Sequence, residues 1–579
     1  MARRHVQPPF RKRLDSPRMQ TPSWISSVVR NAWRRDALGL ALLCALMFGW
    51  RLGQVGLIDP DEPFYAQSAT EMLAHHDWVT PRIFGHPQFE KPILFYWLEM
   101  GSIAWLGRNE LAERLPAATF GVLLVLMTYA FGARRWGLGA GRLGALVLAT
   151  SILFAGCCRF VLTDVVFALF VCASCFASAA ALDSESRRPM LWMLASACSG
   201  LAVLTKGPLG VLIPLLAGIS YAWVARMRPR LGARELVAGI AVFVAIAAPW
   251  YGVILTRYGG AYARAFFLHE NLDRFLRAEH RSNDHPLYYV AVLIAGALPW
   301  LPALALAVLR TFQRGPAGGA WRYLQCWIVS SLLFFTAARS KLPTYVLFLF
   351  PPGALVLGVT LQSVLDHGFR NPRERRVAIA AGIVQAAAFL AVLPLPALGP
   401  VRAPLGAAAL GLGLAAVLLG RGAWRHWIVT TSLTSAAIIL LVTGGTTTPL
   451  EAWLSTRPVA ALLRASASTE PVLASPKLVR GVAYYSGFPA IVIASRPRPF
   501  WSAHPVPVVV GSRGLVRYTR EAGPVRCVMR TSEWRSLARD LPHGMIGDSV
   551  CTGDKVVVQI LPEAAPNASP RPNADHARD

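Results

Sequence analysis

Long apolar runs, separated by short polar connections, dominate this chain from residue 37 to residue 444. A run of about 17 to 23 apolar residues is long enough to cross a bilayer as a helix. The pattern therefore predicts about thirteen transmembrane helices. They lie near residues 37–57, 115–133, 140–158, 162–182, 191–206, 208–225, 233–255, 287–309, 321–338, 343–363, 375–396, 403–420 and 427–444. The short fifth and sixth runs are equally consistent with one re-entrant hairpin.

The polar connections predict how these helices are oriented. If the basic N-terminal segment 1–36 is cytoplasmic, every second connection carries arginine and lies on the same side, as the positive-inside rule requires. The odd number of spans then places the chain after residue 446 outside. Two long outer loops, near residues 58–114 and 256–286, hold most of the remaining polar residues. We expect these two loops to contain juxtamembrane helices and to be the catalytic loops of a transmembrane domain that covers residues 37–445.

The pattern of apolar and polar residues changes after residue 446. Short β-branched segments such as PVPVVVGS and KVVVQIL, separated by Gly, Pro and charged residues, predict a small α/β domain over residues 446–561. The tail 562–579 has a composition typical of disorder. Cys527 and Cys551 both lie in the α/β domain, and the sequence leaves open whether they form a disulfide.

The composition and the net charge of the chain restrict the class of protein to which it belongs. A hydrophobic fraction of 54%, a charged fraction of 15% and a mean hydropathy of +0.43 exceed what a soluble domain usually carries. The fold class is therefore a polytopic α-helical membrane protein. The net charge of +27 comes from arginines clustered between apolar runs, which favours contacts with membrane lipids and argues against nucleic-acid binding.

The remaining polar residues gather on the predicted outer face. Charged groups so close to a bilayer are costly, so their default interpretation is functional. Basic residues in outer loops oppose the positive-inside bias and favour an anionic partner such as a phosphate at the membrane surface. The candidates are Asp59, Asp61, Glu62, Tyr65, Glu90, Lys91, Arg159, Asp164, Lys206, His269, Glu270, Arg274, Arg277, His285, Arg339, Lys341 and Tyr345.

Seven segments, in this order, resemble the aminoarabinose transferase family. They are DPDEPFYA at 59–66, FEKP at 89–92, TD at 163–164, TKG at 205–207, FFLHENLDRF at 266–275, LPW at 298–300 and KLPTY at 341–345. The resemblance implies a glycosyltransferase of the bacterial inner membrane, related to protein O-mannosyltransferases. It further implies an undecaprenyl phosphate sugar donor, a periplasmic active site and an envelope glycolipid acceptor, often lipid A. Phe64 and Gln67 differ from the residues that flank the tyrosine in many members, so the sugar and the acceptor stay open.

The chemistry assigns roles to particular residues. Breaking a sugar–phosphate bond requires stabilisation of the departing phosphate and, for a hydroxyl acceptor, removal of a proton. Lys91, Arg274 and Lys341 suit the first task. Asp61 suits the second, with Asp164 as the other candidate catalytic carboxylate. A phosphate acceptor is already ionised, and Asp61 would then orient a substrate.

Other residues have a functional interpretation and a structural alternative. Glu62, Tyr65 and Tyr345 are expected to bind substrate. A carboxylate near the start of a helix also serves as a cap, and a tyrosine at a span edge also anchors in the interface. Glu90 and His269 are of suitable type for a divalent metal such as zinc, although no metal-binding spacing supports them. No cofactor is otherwise indicated.

Two further functional classes stay open beside a protein O-mannosyltransferase-like enzyme. A transporter or flippase of lipid-linked sugars would also need many spans, but it usually shows charges within the spans and internal repeats. A non-catalytic binder of such lipids would keep the basic residues without needing Asp61. Release of free polyprenyl phosphate from the donor separates an enzyme from both.

Overall fold

Apolar helices form the body of this multi-pass membrane protein. The computed structural model describes residues 23–182, 186–226, 232–278, 283–311, 318–445, 447–466, 468–495, 497 and 506–563. Most of the predicted N-terminal segment and of the predicted disordered tail lies outside these residues. Within these ranges, eight helices are long and apolar enough to span a membrane, and three shorter apolar helices accompany them.

The helices of the first half alternate between long apolar helices and the short helices of the first outer loop. In chain order they are α1 (Ser23–Gly49), α2 (Asp61–Ala74), α3 (Leu94–Leu106), α4 (Glu110–Trp136), α5 (Leu138–Thr150), α6 (Ile152–Cys157), α7 (Thr163–Ala181), α8 (Arg188–Lys206), α9 (Leu209–Ala225), α10 (Ala233–Ala263) and α11 (Arg274–Leu276). A small hairpin, β1 (Arg82–Ile83) and β2 (His86–Pro87), follows α2.

The second half continues the apolar bundle to residue 445. Its helices are α12 (Tyr288–Gly296), α13 (Leu301–Thr311), α14 (Gly319–Ala337), α15 (Phe350–His367), α16 (Pro372–Val392), α17 (Arg402–Gly420) and α18 (Trp424–Gly445). A 3-10 segment, Pro343–Leu349, precedes α15, and another, Pro396–Val401, precedes α17.

Several predicted boundaries shift for identifiable reasons. The predicted span 287–309 is two helices, because Pro299 lacks the N–H that a continuous helix needs. The predicted span 140–158 is interrupted by Ser151, whose backbone is extended. The fifth and sixth spans are two separate helices, α8 and α9.

The predicted outer loop 256–286 begins as helix rather than loop. Helix α10 runs on to Ala263, and a π-helical segment, Arg264–Asp273, extends it. Aromatic residues explain the continuation, since the ring of Tyr262 contacts Phe89 of the first outer loop at a centroid distance of 5.3 Å. The helical part of the second outer loop therefore packs against the first.

The chain after residue 446 forms a mixed six-stranded sheet with helices. Its helices are α19 (Thr447–Leu454), α20 (Arg457–Ala465), α21 (Val479–Ser486), α22 (Gly511–Ala522) and α23 (Thr531–Ala538). Its strands are β3 (Val472–Ala474), β4 (Ile491–Ala494), β5 (Val508–Val510), β6 (Val525–Arg530), β7 (Ile546–Thr552) and β8 (Lys555–Ile560), in the order β5-β4-β3-β6-β8-β7. The first four strands in this order are parallel, and β8 and β7 are antiparallel to their neighbours.

Alternation along the strands buries both faces of this sheet. Leu473 points into one apolar cluster, whereas its neighbours Val472 and Ala474 point into another. The β-branched runs of the sequence thus supply two cores.

The two cysteines of this domain do not form a disulfide. Cys527 on β6 is opposite Val558 of β8, and Cys551 on β7 is opposite Val556 of the same strand. They therefore lie two strands apart, about 9 to 10 Å, which exceeds the reach of a disulfide. Cys527 is buried and Cys551 is exposed.

Candidate active site

A cavity of about 320 Å³ lies where the first outer loop, the α8–α9 junction, the π-helical segment and α14 meet. Its walls combine charged and apolar side chains. The charged residues are Glu90, Lys91, Lys206, Glu270 and Arg274. The apolar residues include Phe167, Leu209, Leu212, Phe266, Phe267, Leu272, Phe275, Phe334 and Phe335. Such a surface suits a ligand with an anionic head and an apolar chain.

One carboxylate organises two of the cations. Glu270 accepts from Lys91 Nζ at 3.2 Å and from Arg274 Nη1 at 2.8 Å. Lys91 Nζ also donates to the carbonyl oxygen of Glu90 at 3.1 Å. Two cations sharing one carboxylate retain one net positive charge, which can attract a phosphate.

Lys206 adds a third cation at the end of α8. Its Nζ donates to Asp164 Oδ1 at 2.5 Å and lies 4.5 Å from the centroid of the Tyr345 ring. The next residue, Gly207, has a φ of +78°, and a Cβ there would come within 2.5 Å of the Phe266 ring. Only glycine therefore lets the chain turn here and keep Lys206 beside the cavity. Asp164 acts as the counter-ion of Lys206, and Tyr345 lines the cavity.

Asp61 is the first residue of α2, and its side chain is exposed. It makes no side-chain hydrogen bond within the part of the chain that the structure describes, so capping does not account for it. Desolvation by the surrounding protein nevertheless raises the pKa of its carboxyl, and Arg480 is the strongest influence that lowers this pKa. Glu90 and Asp164 act in the same direction as burial, and Lys91 opposes them.

Glu62, which the sequence predicts to bind substrate, makes buried contacts within the protein. Its oxygens accept from Arg114 at 2.8 and 2.6 Å and from the backbone N–H groups of Val161 and Ile58, both at 2.7 Å. Its carboxylate is buried and fully used. The Glu62–Arg114 ion pair joins the start of α2 to α4, and the bond from Val161 joins it to the turn before α7.

Two other predicted substrate residues lie away from the cavity. Tyr65 is buried, and its ring meets Phe64 and Phe95 edge-on at 5.2 and 5.5 Å. Lys341 is buried, and its Nζ donates to Asp284 at 3.0 Å. The geometry gives Tyr65 a packing role and Lys341 an ion-pair role instead.

The two residues proposed for a metal, Glu90 and His269, each lie near a charged side chain. His269 Nδ1 lies 3.6 Å from Asp273, and Glu90 lies 3.7 Å from Arg480. A protein zinc site needs three or four ligands. Across the described ranges, no group of three or more His, Cys, Asp and Glu side chains is placed to hold an ion.

The sequence analysis left three residues of this region without a role. Lys206 and Glu270 stood among the polar candidates, and a lysine at the end of an apolar run was a usable signal. Arg480 was missed, because it belongs to the C-terminal domain and only the tertiary structure brings it to the outer loop.

Comparisons with known proteins identify relatives of this chain. A family model described as dolichyl-phosphate-mannose-protein mannosyltransferase matches residues 40–260. An undecaprenyl phosphate-α-4-amino-4-deoxy-L-arabinose arabinosyl transferase of Erwinia tasmaniensis is 31% identical over 402 residues, covering 68% of this chain and 71% of that protein. A protein of the same name from Pseudomonas aeruginosa is 33% identical over 340 residues, covering 58% of this chain and 61% of that protein.

Solved structures show the same fold. The crystal structure of ArnT from Cupriavidus metallidurans bound to undecaprenyl phosphate superposes with a TM-score of 0.71 and 24% identity, covering 91% of this chain and 98% of that one. The archaeal oligosaccharyltransferase AglB from Archaeoglobus fulgidus superposes with a TM-score of 0.50 and 13% identity, covering 88% of this chain and 71% of that one.

The Glu62–Arg114 pair yields a stability prediction. Glu62→Ala leaves the Arg114 guanidinium buried without its carboxylate, which typically costs about 3 to 5 kcal/mol. We expect a clearly lower melting midpoint in detergent and a lower yield. Arg142→Ala is the control, because the Arg142 side chain is 53% exposed and its pair with Asp36 is worth at most about 1 kcal/mol. If Glu62→Ala melted like the control and lost substrate affinity, the structural assignment would fail.

Proposed function

This chain belongs to the aminoarabinose transferase family, and we propose that it is a membrane glycosyltransferase that moves a sugar from undecaprenyl phosphate to an acceptor of the bacterial envelope. Lipid A is the first acceptor to consider, because the relatives transfer aminoarabinose by name. One observation carries the proposal: Lys91 and Arg274 converge on one side of a cavity whose remaining walls are largely aromatic and aliphatic.

The donor fits this cavity by charge and by polarity. Lys91 and Arg274 hold the phosphate through charge-assisted hydrogen bonds, and the aromatic walls contact the first isoprenoid units. Negative charge grows on the phosphate as the sugar departs, so these donors stabilise the transition state more than the ground state. Lys206 adds positive charge while Asp164 fixes its position. Asp164 thus supports Lys206 and is a weaker candidate than Asp61 for the catalytic carboxylate.

Asp61 acts on the acceptor. With a hydroxyl acceptor, its carboxylate removes the proton as the nucleophile attacks the sugar. With a phosphate acceptor no proton needs to be removed, and Asp61 orients the acceptor or the sugar. Its lack of a hydrogen-bond partner among the described residues leaves it available for either role.

The topology we propose has thirteen spans, a transmembrane domain over residues 37–445 with catalytic loops near 58–114 and 256–286, and a periplasmic domain over 446–561. The helical segments support this count when each interrupted pair, α5–α6 and α12–α13, is taken as one span. A direct contact indicates that the first outer loop and the C-terminal region lie on the same side of the membrane. The Asp59 N–H in the loop donates to Leu454 O in the C-terminal region at 3.0 Å. The active site then faces the periplasm.

The first prediction concerns transfer and the donor phosphate. Purified protein incubated with labelled undecaprenyl phosphate sugar and lipid A should release free undecaprenyl phosphate. Lys91→Ala and Arg274→Ala should each lower transfer about tenfold to more than a hundredfold, because each removes a charge-assisted bond worth about 1.5 to 3 kcal/mol.

Arg339→Ala is the matched control, since this arginine lies on the same outer face, has a side chain 62% exposed and pairs with Asp284 outside the cavity. It should keep nearly wild-type transfer. Binding of the donor without release of undecaprenyl phosphate would identify a non-catalytic binder instead. Wild-type rates for both alanine variants would remove the phosphate assignment.

A second prediction concerns Asp61. Asp61→Asn should retain donor binding and expression but lose about 10² to 10⁴ in turnover if a hydroxyl is the acceptor. Burial raises the pKa of Asp61, so the wild-type rate should fall as pH drops through a value above the usual range of Asp. The Asn variant should lack this acid limb.

A phosphate acceptor should show a weaker dependence on Asp61. Asp273→Asn is the control, because Asp273 is an exposed carboxylate of the other outer loop that faces His269. Equal turnover of Asp61→Asn and wild type across pH would exclude Asp61 from the reaction.

The third prediction tests the topology. A membrane-impermeant maleimide should label Cys551 in cells whose outer membrane alone is permeabilised, since this thiol is exposed on the proposed periplasmic domain. Cys527 should react only after unfolding, because it is buried in the sheet. Cys551→Ser is the control and should abolish the label. Labelling that requires rupture of the inner membrane would place the domain in the cytoplasm.

A further inference from the structure

Helix α21 of the C-terminal domain reaches into the first outer loop. Its Arg480 has a side chain only 6% exposed, and Nη2 lies 3.7 Å from Glu90 Oε1. The guanidinium carbon stands 4.4 Å from the centroid of the Phe64 ring, three residues after Asp61. Arg480 therefore touches both the start of α2 and the loop that carries Lys91.

A glycine makes this close approach achievable. A Cβ on Gly481 would lie 2.1 Å from Asp59 Oδ1 and 2.2 Å from Thr456 Oγ1. No other residue fits without displacing α21 from Asp59, two positions before Asp61. The backbone of the C-terminal domain thus packs directly on the turn that begins α2.

Two tyrosines fix the rotation of α21. Tyr484 donates its hydroxyl to Glu113 at 3.1 Å, and Tyr485 donates to Glu110 at 2.9 Å. Tyr485 also accepts from the Leu57 N–H at 2.6 Å. With α21 anchored to α4 and to the segment before α2, Arg480 is held in one place rather than projecting as a mobile surface arm.

The charges around Arg480 indicate an electrostatic role for this residue. Asp61, Glu90 and Asp164 repel one another electrostatically, and Arg480 lowers the pKa of Asp61 more than any other neighbour does. Glu90 links the two halves of the site, because its carboxylate faces Arg480 and its carbonyl oxygen accepts from Lys91 Nζ.

We infer that the C-terminal domain completes the active site by supplying Arg480 as a positioning residue, which holds Glu90 and the start of α2 so that Asp61 faces the acceptor. This inference rests on the proposed function. It makes the domain part of the catalytic arrangement rather than a cover over it. Arg480 touches no substrate in this account and acts through Glu90 and α2.

The test compares Arg480→Gln and Arg480→Lys with wild type in full-length protein. We measure turnover, the KM of donor and acceptor, the melting midpoint, and the dissociation constant of undecaprenyl phosphate. Arg480→Gln should lower turnover about ten- to a hundredfold, as expected for loss of a buried charged contact, with donor affinity within about twofold. Arg480→Lys should recover part of the loss, since it restores the charge but not the planar fork.

Arg517→Ala is the matched control, an arginine of the same domain whose side chain is 85% exposed and pairs only with Glu521 among the described residues. It should behave as wild type. If Arg480→Gln lowered the melting midpoint and weakened donor binding in parallel, with no rescue by lysine, Arg480 would be a structural clamp and the inference would be wrong.

A second background tests the route through Glu90. In Glu90→Gln protein, Arg480→Gln should reduce turnover by less than about twofold further, because residues acting through one contact are not additive. Full additivity would overturn the inference. Absence of transfer by wild-type protein would refute the proposed function and the inference together, whereas an active wild type with an equally active Arg480→Gln variant would refute the inference alone.

Discussion

The buried ion pair between Glu62 and Arg114 is the constraint on which the outer site depends. Arg114 satisfies both oxygens of Glu62 and also donates to the carbonyl oxygens of Leu52, Val55 and Gly56. Together these bonds fix the chain between α1 and α2 against α4. Asp61 is the residue before Glu62, so its position follows from a pair that does no chemistry itself. A buried pair adds little net stability but specifies geometry, which is its role here.

Charge compensation continues through the rest of the site. The three cations that line the cavity each pair with a carboxylate: Arg274 and Lys91 share Glu270, and Lys206 pairs with Asp164. An arriving phosphate competes with Glu270 for two of these cations. The cavity therefore holds its cations in place before the donor binds and gains affinity only for a ligand that brings its own negative charge.

The sequence predicted those features of the fold and of the site that depend on local patterns of residues. Apolar runs gave the spans because hydrophobicity and length are local properties, and Lys91, Arg274 and Asp61 were identified from polar residues beside those runs. It failed where partners are distant. The sequence did not predict the contact of Glu62 with Arg114, which lies 52 residues away, or that of Lys341 with Asp284. The helical continuation past residue 255 depends on aromatic contacts with another loop, which no local pattern contains.

The placement of the C-terminal domain follows from the same constraint. A carboxylate that is to be ionised near a bilayer needs positive charge close by, and in our proposal the cations of the donor cavity bind the phosphate. Arg480 supplies that charge from a domain outside the membrane, where its helix is held by Gly481 and two tyrosine hydroxyls. The donor side and the acceptor side thus draw their positive charge from different parts of the chain. Glu90 contacts Arg480 through its carboxylate and Lys91 through its carbonyl oxygen, which makes it the link that we propose between the two sides.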